Sequence, residues 1–144
     1  MAIYYRTEGV NDHGGNGTSR IKNGLEVRVS SPLTNDSAPP DFEPSDDEKT
    51  NPEQLLALAW ATCLNATAQA ILSGKRRSRA RVTVELRDAA SGSGYEFHVD
   101  AYLSIHGVSR SEGERVLEAA HARCPVSKLL HRAPTVRVHL EHYT

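Results

Sequence analysis

The 144-residue sequence predicts an α+β domain, in the order strands, helix, two strands, helix and strand. Two observations support this class. The strand patterns alternate apolar and polar residues, so each sheet has one polar face and helices should cover only the other face. Two longer segments instead repeat apolar residues at helical spacing. We expect residues 1–144 to form a single domain, because this length suits one hydrophobic core.

The first part of the chain predicts a β-hairpin or meander followed by a long loop. Residues 3–8 and residues 25–29 have strand patterns, and the turn signal Asn23-Gly24 stands directly before the second of them. Residues 33–49 are rich in proline and acidic side chains and are predicted to be a loop. This loop could cover a substrate entrance, but a solvated surface insertion is the favoured interpretation.

A first helix is predicted to begin near Thr50. Thr50 and Glu53 have the spacing of a capping box, and Pro52 suits a first helical turn. Leu58 and Trp60 make the helix apolar over more than one stripe, so we expect it to be buried on most sides, at the centre of the fold or at a subunit interface. The residues predicted to form its buried face are Leu55, Leu56, Ala59, Thr62, Cys63, Ala66 and Ala70.

The chain after this helix predicts three more strands. The helix should stop at Gly74. The basic run at residues 75–81 is interpreted as a solvated connector, because no aromatic residues that could stack on nucleic acid are interleaved with it. Strands are expected at residues 81–87 and 95–106, joined as a hairpin, and at residues 136–140.

A second helix is predicted between the last two strands. Ser109 and Glu112 can cap its start, and Pro125 marks a helix break or a new first turn because proline lacks an N–H group. One face of this helix should be buried, and it carries Val116, Leu117, Ala120 and Cys124.

Composition and charge exclude several classes of function. The net charge of −1 provides no field that would attract nucleic acid or an anionic membrane. No apolar segment is long enough to cross a bilayer, and the N-terminus has no apolar signal-peptide core, so we expect a cytosolic protein. The seven histidines form no zinc motif beyond a weak His139-x-x-His142 at a strand end, and no glycine-rich phosphate loop precedes a helix. We expect no metal and no cofactor.

The two cysteines are the candidates for chemistry. Cys63 ends an apolar helical run, and Cys124 lies 61 residues later at a helix–proline boundary. Taken alone, each is best interpreted as a small core residue. If the fold brings them together they can act as a dithiol redox pair, and in the cytosol a transient disulfide is the expected kind. A reactive Cys63 needs a thiolate, and the cation that stabilises it would have to come from elsewhere in the fold.

Glu53 has two competing roles. It could complete the capping box, or it could orient an arginine beside the Cys63 thiolate. The two residues are ten positions apart, which is about 15 Å along a straight helix, so a second segment would have to bridge them.

The two cysteine segments resemble the family of organic hydroperoxide resistance proteins and osmotically inducible protein C. The first motif is Thr-Asn-Pro-Glu-Gln-Leu at residues 50–55, with Cys63 ten residues after the glutamate. The second is His-x-x-Cys-Pro-x-Ser at residues 121–127. The order of strands and helices agrees along nearly the whole chain.

This resemblance implies antiparallel sheets wrapped around central helices in an intertwined homodimer that reduces organic hydroperoxides. Cys63 matches the peroxidatic cysteine, which would attack the peroxide, release an alcohol and become a sulfenic acid. Cys124 matches the resolving cysteine, which would form an intramolecular disulfide that a dithiol such as dihydrolipoamide reduces. The alternative is a non-catalytic thiol redox sensor or small-molecule binding protein on the same fold.

One departure from the family concerns the activating arginine. The hydroperoxide-resistance branch has an arginine after two glycines near the N-terminus, and this arginine pairs with the glutamate that matches Glu53. Here Gly-Gly-Asn-Gly at residues 14–17 occupies that stretch. The osmotically inducible branch takes its arginine from the segment before residue 50, which is acidic here. Arg20 in the glycine-rich segment is therefore the preferred candidate, and Arg28 is the second.

Overall fold

The computed structural model describes residues 1–34 and 48–144, and within these residues the chain has an α+β fold, as predicted. It contains seven strands and three α-helices in the described residues. The chain folds as two compact units, Met1–Pro52 and Glu53–Thr144. The single domain over residues 1–144 stays a prediction.

The first unit is a four-stranded sheet in the order β1-β2-β3-β4. Strands β1 (Gly9–Asn11), β2 (Thr18–Ile21) and β3 (Glu26–Val29) form an antiparallel meander, and β4 (Lys49–Thr50) pairs in parallel with β3. The predicted meander is confirmed. The strand β4 was not predicted, because two residues are too few to show an alternating pattern.

The position predicted for the first strand, residues 3–8, was wrong. The strand lies at Gly9–Asn11, and its first residue pairs with Ile21, the last residue of β2. The Lys22 N–H still donates to the Glu8 carbonyl at 2.9 Å, but the chain then turns at Asn23, whose φ of 59° is left-handed, so the pairing does not extend further along residues 3–8. Most of the predicted 33–49 loop falls on residues 35–47, which lie outside the described residues.

The second unit contains a three-stranded sheet in the order β5-β6-β7. Strands β5 (Ser78–Asp88) and β6 (Tyr95–Ile105) form the predicted antiparallel hairpin, and β7 (Val136–Leu140) lies parallel to β6. The predicted sheets were purely antiparallel. In the structure each sheet also contains one parallel pair, β3 with β4 and β6 with β7. Since β5 begins at Ser78, only residues 75–77 of the basic run connect helix and strand.

Helix α1 (Pro52–Ile71) begins and ends close to the predicted positions. Thr50 belongs to β4 and Asn51 directly precedes the helix, so the capping-box position is displaced by one residue from the predicted one. Gly74 confirms the predicted stop. It has a φ of +67°, and its N–H donates to the Gln69 carbonyl at 3.1 Å.

The buried face of α1 differs from the prediction. Trp60, Leu64 and Ala68 are fully buried, and they pack in the core against the inner face of β6. Several residues predicted to be buried are exposed instead: Leu55, Ala59, Thr62, Ala66 and Ala70. Because the helix is apolar around most of its circumference, spacing alone could not choose the face that carries the large indole ring.

Helices α2 (Arg110–Arg123) and α3 (Pro125–Leu130) connect β6 to the parallel strand β7. The predicted cap is confirmed, because the Ser109 hydroxyl accepts the Glu112 N–H at 3.2 Å. The predicted face of α2 is also buried as expected, with Val116, Leu117, Ala120 and Cys124 in the core. None of the helices in the described ranges is both long and apolar enough to cross a membrane.

Candidate functional site

The second unit brings the two cysteines together. Cys63 lies on α1, Cys124 lies at the junction of α2 and α3, both are free thiols, and each side chain shifts the pKa of the other. Their exposure differs. Cys124 is fully buried, whereas Cys63 is only half-buried. Cys63 is thus the more accessible residue of the two in the single chain.

The junction at Cys124 directs backbone N–H groups at both sulfurs. Cys124 ends α2 and also caps the start of α3, whose first residue, Pro125, has no N–H to donate. The first available donors of α3 are therefore Val126 and Ser127. The Ser127 N–H lies 3.5 Å from the Cys124 sulfur, and the Val126 N–H lowers the pKa of both thiols.

These contacts shift the pKa values of the two thiols in opposite directions. Burial raises the pKa of Cys63, and its hydrogen bond with Cys124 adds to the rise, which the Val126 N–H opposes in part. Burial would also raise the pKa of Cys124, but the Ser127 N–H, the Cys63 thiol and the Ser127 hydroxyl together lower it.

A buried polar network surrounds this junction. The Trp60 indole Nε1–H donates to the Ser127 hydroxyl at 2.9 Å, and both side chains are fully buried. The Trp60 ring also lies 6.4 Å from the His121 ring, measured between centroids. Burial lowers the pKa of His121, and its Nδ1 is buried without a hydrogen-bond partner in the part of the chain that the structure describes. We infer that His121 is neutral at pH 7.

The predicted site residue Glu53 lies in the first turn of α1, far from Cys63 on the same continuous helix. Their separation of ten positions corresponds to about 15 Å, so the two side chains cannot meet directly. The Oε2 atom of Glu53 is buried and has no hydrogen-bond partner among residues 1–34 and 48–144.

The two candidate arginines lie in the first unit, and each pairs there with a carboxylate. Arg20 on β2 contacts Asp12, with 2.7 Å between Nη1 and Oδ2, and this pairing lowers the pKa of Asp12. Arg28 on β3 contacts Glu48 at 3.1 Å. All four side chains are about half exposed or more.

The histidines of the weak His-x-x-His pattern do not form a metal site. His139 Nε2 hydrogen-bonds Asp100 at 2.6 Å, and its ring stacks on Tyr102 at 4.7 Å. No group of three or more histidine, cysteine, aspartate or glutamate side chains that could hold a metal exists within the described ranges.

Sequence reasoning missed the hydrogen bond between Trp60 and Ser127. The serine was visible in the Cys-Pro-x-Ser segment, but its partner is 67 residues away in the sequence. Trp60 was assigned only to the apolar surface of α1. A single tryptophan in the chain, on the same helix as a cysteine, was the one available signal.

Comparison with known proteins places these features in a family. The sequence model of the OsmC-like protein family matches residues 45–139. The chain is 32% identical over 120 residues to organic hydroperoxide resistance protein-like 2 of Staphylococcus epidermidis, covering 77% of this chain and 84% of the relative. It is 31% identical over 137 residues to an organic hydroperoxide resistance protein-like chain of Mycoplasma pneumoniae, covering 90% and 89%.

The fold of a solved structure agrees as well. An organic hydroperoxide resistance protein from Elizabethkingia anophelis has a TM-score of 0.81 and 23% identity, with 99% of this chain and 100% of that chain covered. The family match and the curated relatives together show the membership, and the chain belongs to the OsmC-like protein family.

Proposed function

We propose that this chain is a cysteine-based, thiol-dependent peroxidase that reduces organic hydroperoxides to alcohols as part of a stress response. The observation that carries the proposal is the pairing of a half-buried free Cys63 with a fully buried free Cys124, each of which shifts the pKa of the other. An accessible sulfur next to an enclosed one suits a peroxidatic and a resolving cysteine. The names of the relatives support the choice of organic hydroperoxides.

The proposed reaction begins at Cys63. Its thiolate attacks the distal peroxide oxygen, the O–O bond breaks, and the leaving alkoxide takes up a proton to become the alcohol. The Cys124 thiolate then attacks the sulfenic sulfur of Cys63 and expels the hydroxyl group, which leaves as water after protonation. The S–S bond that forms is reduced by a dithiol such as dihydrolipoamide, which supplies two electrons and two protons.

Deprotonation of Cys63 is the demanding step, because burial and the neighbouring Cys124 raise the pKa of Cys63. We propose that Arg20 supplies the missing cation and that Glu53 orients it. The buried Oε2 of Glu53 supports this assignment, since it has no acceptor role within the described residues. To do so, Arg20 would have to leave its exposed contact with Asp12 and contact Glu53 instead.

A homodimer, as the family implies, and a cytoplasmic location complete the proposal. The exposed face of α1 supports a dimer, because Leu58 is 65% exposed and Leu55 is 38% exposed on a helix whose opposite face is in the core. Apolar side chains in such a row are commonly covered by a partner subunit.

The deciding experiment measures consumption of tert-butyl hydroperoxide and of hydrogen peroxide with dihydrolipoamide as the reductant. Wild type should prefer the organic peroxide, and Cys63→Ser should be inactive. Cys124→Ser should turn over once and stop at the sulfenic acid. Arg20→Ala should be slower than Arg28→Ala, which serves as its control. Full activity of Cys63→Ser would contradict the mechanism, and equal activities of the two arginine variants would contradict the role of Arg20.

A second candidate function is a non-catalytic thiol redox sensor or small-molecule binding protein. The raised pKa of Cys63 favours it, because a protonated thiol attacks peroxides slowly. A wild-type protein that consumes no peroxide but still forms the Cys63–Cys124 disulfide would favour the sensor over the peroxidase.

A further inference from the structure

The two sulfurs of the cysteine pair have unequal surroundings. Cys124 is fully enclosed and receives the Ser127 N–H at 3.5 Å. Cys63 is half-buried, and the Ser127 donors act on Cys124 and not on Cys63. If the pair is oxidised to a disulfide, a thiol arriving from solvent can reach one sulfur, while hydrogen-bond donors surround the other.

The hydrogen bond from Trp60 determines what the Ser127 hydroxyl can do. An indole N–H can only donate, whereas a serine hydroxyl has one donor and two acceptor positions. Trp60 occupies one acceptor position of Ser127 at 2.9 Å, so the hydroxyl proton remains available to Cys124. Ser127 therefore offers two donors to one sulfur, its backbone N–H and its hydroxyl.

We propose that Ser127, oriented by Trp60, is a positioning residue that makes Cys124 the leaving thiolate during disulfide reduction and thereby directs the incoming thiol to Cys63. This inference rests on the disulfide of the proposed function. Ser127 acts when the disulfide is reduced, whereas the proposed roles of Arg20 and Glu53 belong to the oxidation of Cys63 by the peroxide.

The reductive step begins when a thiolate of the reductant attacks the Cys63 sulfur. The Cys63–Cys124 bond breaks, and its electron pair stays on Cys124 as a thiolate held by Ser127. The reductant is then bound to Cys63 through a mixed disulfide. The second thiol of the reductant then attacks this mixed disulfide and displaces the Cys63 sulfur as a thiolate. The reductant leaves as a cyclic disulfide, so two electrons pass to the protein and both cysteines return to the reduced state. Thiol–disulfide exchange is faster when the leaving thiol has the lower pKa, which favours this direction.

The first test maps the mixed disulfide without any peroxide. The protein is oxidised with diamide, treated briefly with excess 2-mercaptoethanol, quenched with acid and alkylated with N-ethylmaleimide. Peptide mass spectrometry should find mercaptoethanol on Cys63 and maleimide on Cys124. The reverse distribution, or the absence of a Cys63–Cys124 disulfide after diamide, would overturn the inference.

The second test measures the rate at which 2-mercaptoethanol reduces the diamide-formed disulfide. Ser127→Ala should slow it about tenfold or more, because a hydrogen bond to a charged group changes an equilibrium by about this factor. Trp60→Phe should slow it by less, and Ser127→Thr should restore most of the rate. Ser104→Ala is the matched control, since Ser104 is also buried, at 2% exposure, but lies on β6.

The pH dependence separates this role from a merely structural one. The titration of the Cys124 thiolate, followed at 240 nm in a Cys63→Ser background, should move to higher pH in Ser127→Ala and stay in place in Ser104→Ala. Reduction of Ser127→Ala at the wild-type rate, with an unmoved titration, would refute the proposal. If Ser127→Ala does not fold, Trp60→Phe and the mapping experiment decide. A chain that consumes no peroxide but passes these tests would lose the proposed function and keep this inference.

Discussion

The face of α1 that enters the core can be tested with two leucines of the same helix. Leu64 is fully buried next to Cys63, whereas Leu58 is 65% exposed. Both changes to alanine remove the same atoms and alter helix propensity equally, so the difference between the two variants reports burial alone.

The structure gives the expected magnitudes. Leu64→Ala should lower the free energy of unfolding by about 2 to 5 kcal/mol, because it removes buried methyl groups and leaves a cavity in the core. Only about a third of Leu58 is covered, so Leu58→Ala should cost about 0.5 to 1 kcal/mol. Urea unfolding followed by far-ultraviolet circular dichroism measures both, with the slope of the transition as a check that the unfolded states are comparable.

Protein concentration adds a second reading. If a homodimer covers the exposed face of α1, Leu58→Ala should weaken the association of the two subunits. The unfolding midpoint of wild type should then rise with protein concentration more than the midpoint of the variant does. A loss below about 1 kcal/mol for Leu64→Ala, or equal losses at low concentration, would refute the assignment of the buried face.

Three further changes test single contacts in the second unit. The hydrogen bond from His139 lowers the pKa of Asp100. The stability that the Asp100 carboxylate contributes is therefore fully present above its unfolded pKa of about 3.9 and is lost as the pH falls through the lower folded pKa. Asp100→Asn should remove this loss of stability at acid pH, measured as the urea midpoint at a series of pH values. Ser109→Ala should lower the free energy of unfolding by about 1 kcal/mol, and the exposed Ser111→Ala, just inside the same helix, should change it little. Gly113→Val should cost about 1 to 3 kcal/mol in the same assay, since its added Cβ would lie 2.9 Å from a leucine methyl group.

The sequence was a good guide wherever one face of an element is clearly polar. β6 alternates over eleven residues and α2 starts at a serine that caps it, so both were located correctly. Helix α1 gave no such contrast, because its apolar residues surround most of the axis, and its buried face was misassigned. The strand prediction for residues 3–8 was wrong for another reason. A strand requires a partner strand, and the pairing of β1 with β2 ends at Ile21.

The candidate site was predicted only in part from the sequence. The two motifs indicated Cys63 and Cys124 as a pair, and in the structure each thiol shifts the pKa of the other, whereas their catalytic roles stay a prediction. The support around them was not visible, because the bond from Trp60 to Ser127 joins residues 67 positions apart. Contacts of this range depend on how α1 packs against the α2–α3 junction, and no local pattern encodes that packing.

The long separation between the two cysteines couples redox state to folding. The proposed disulfide would close a loop of about 60 residues, which removes about 4 kcal/mol of conformational entropy from the unfolded chain in the loop-closure model. The oxidised chain should therefore unfold at a higher temperature than the reduced chain. By the same linkage, a substitution that destabilises the fold enough to unfold part of the reduced chain makes the disulfide easier to reduce, even when it lies far from the sulfurs.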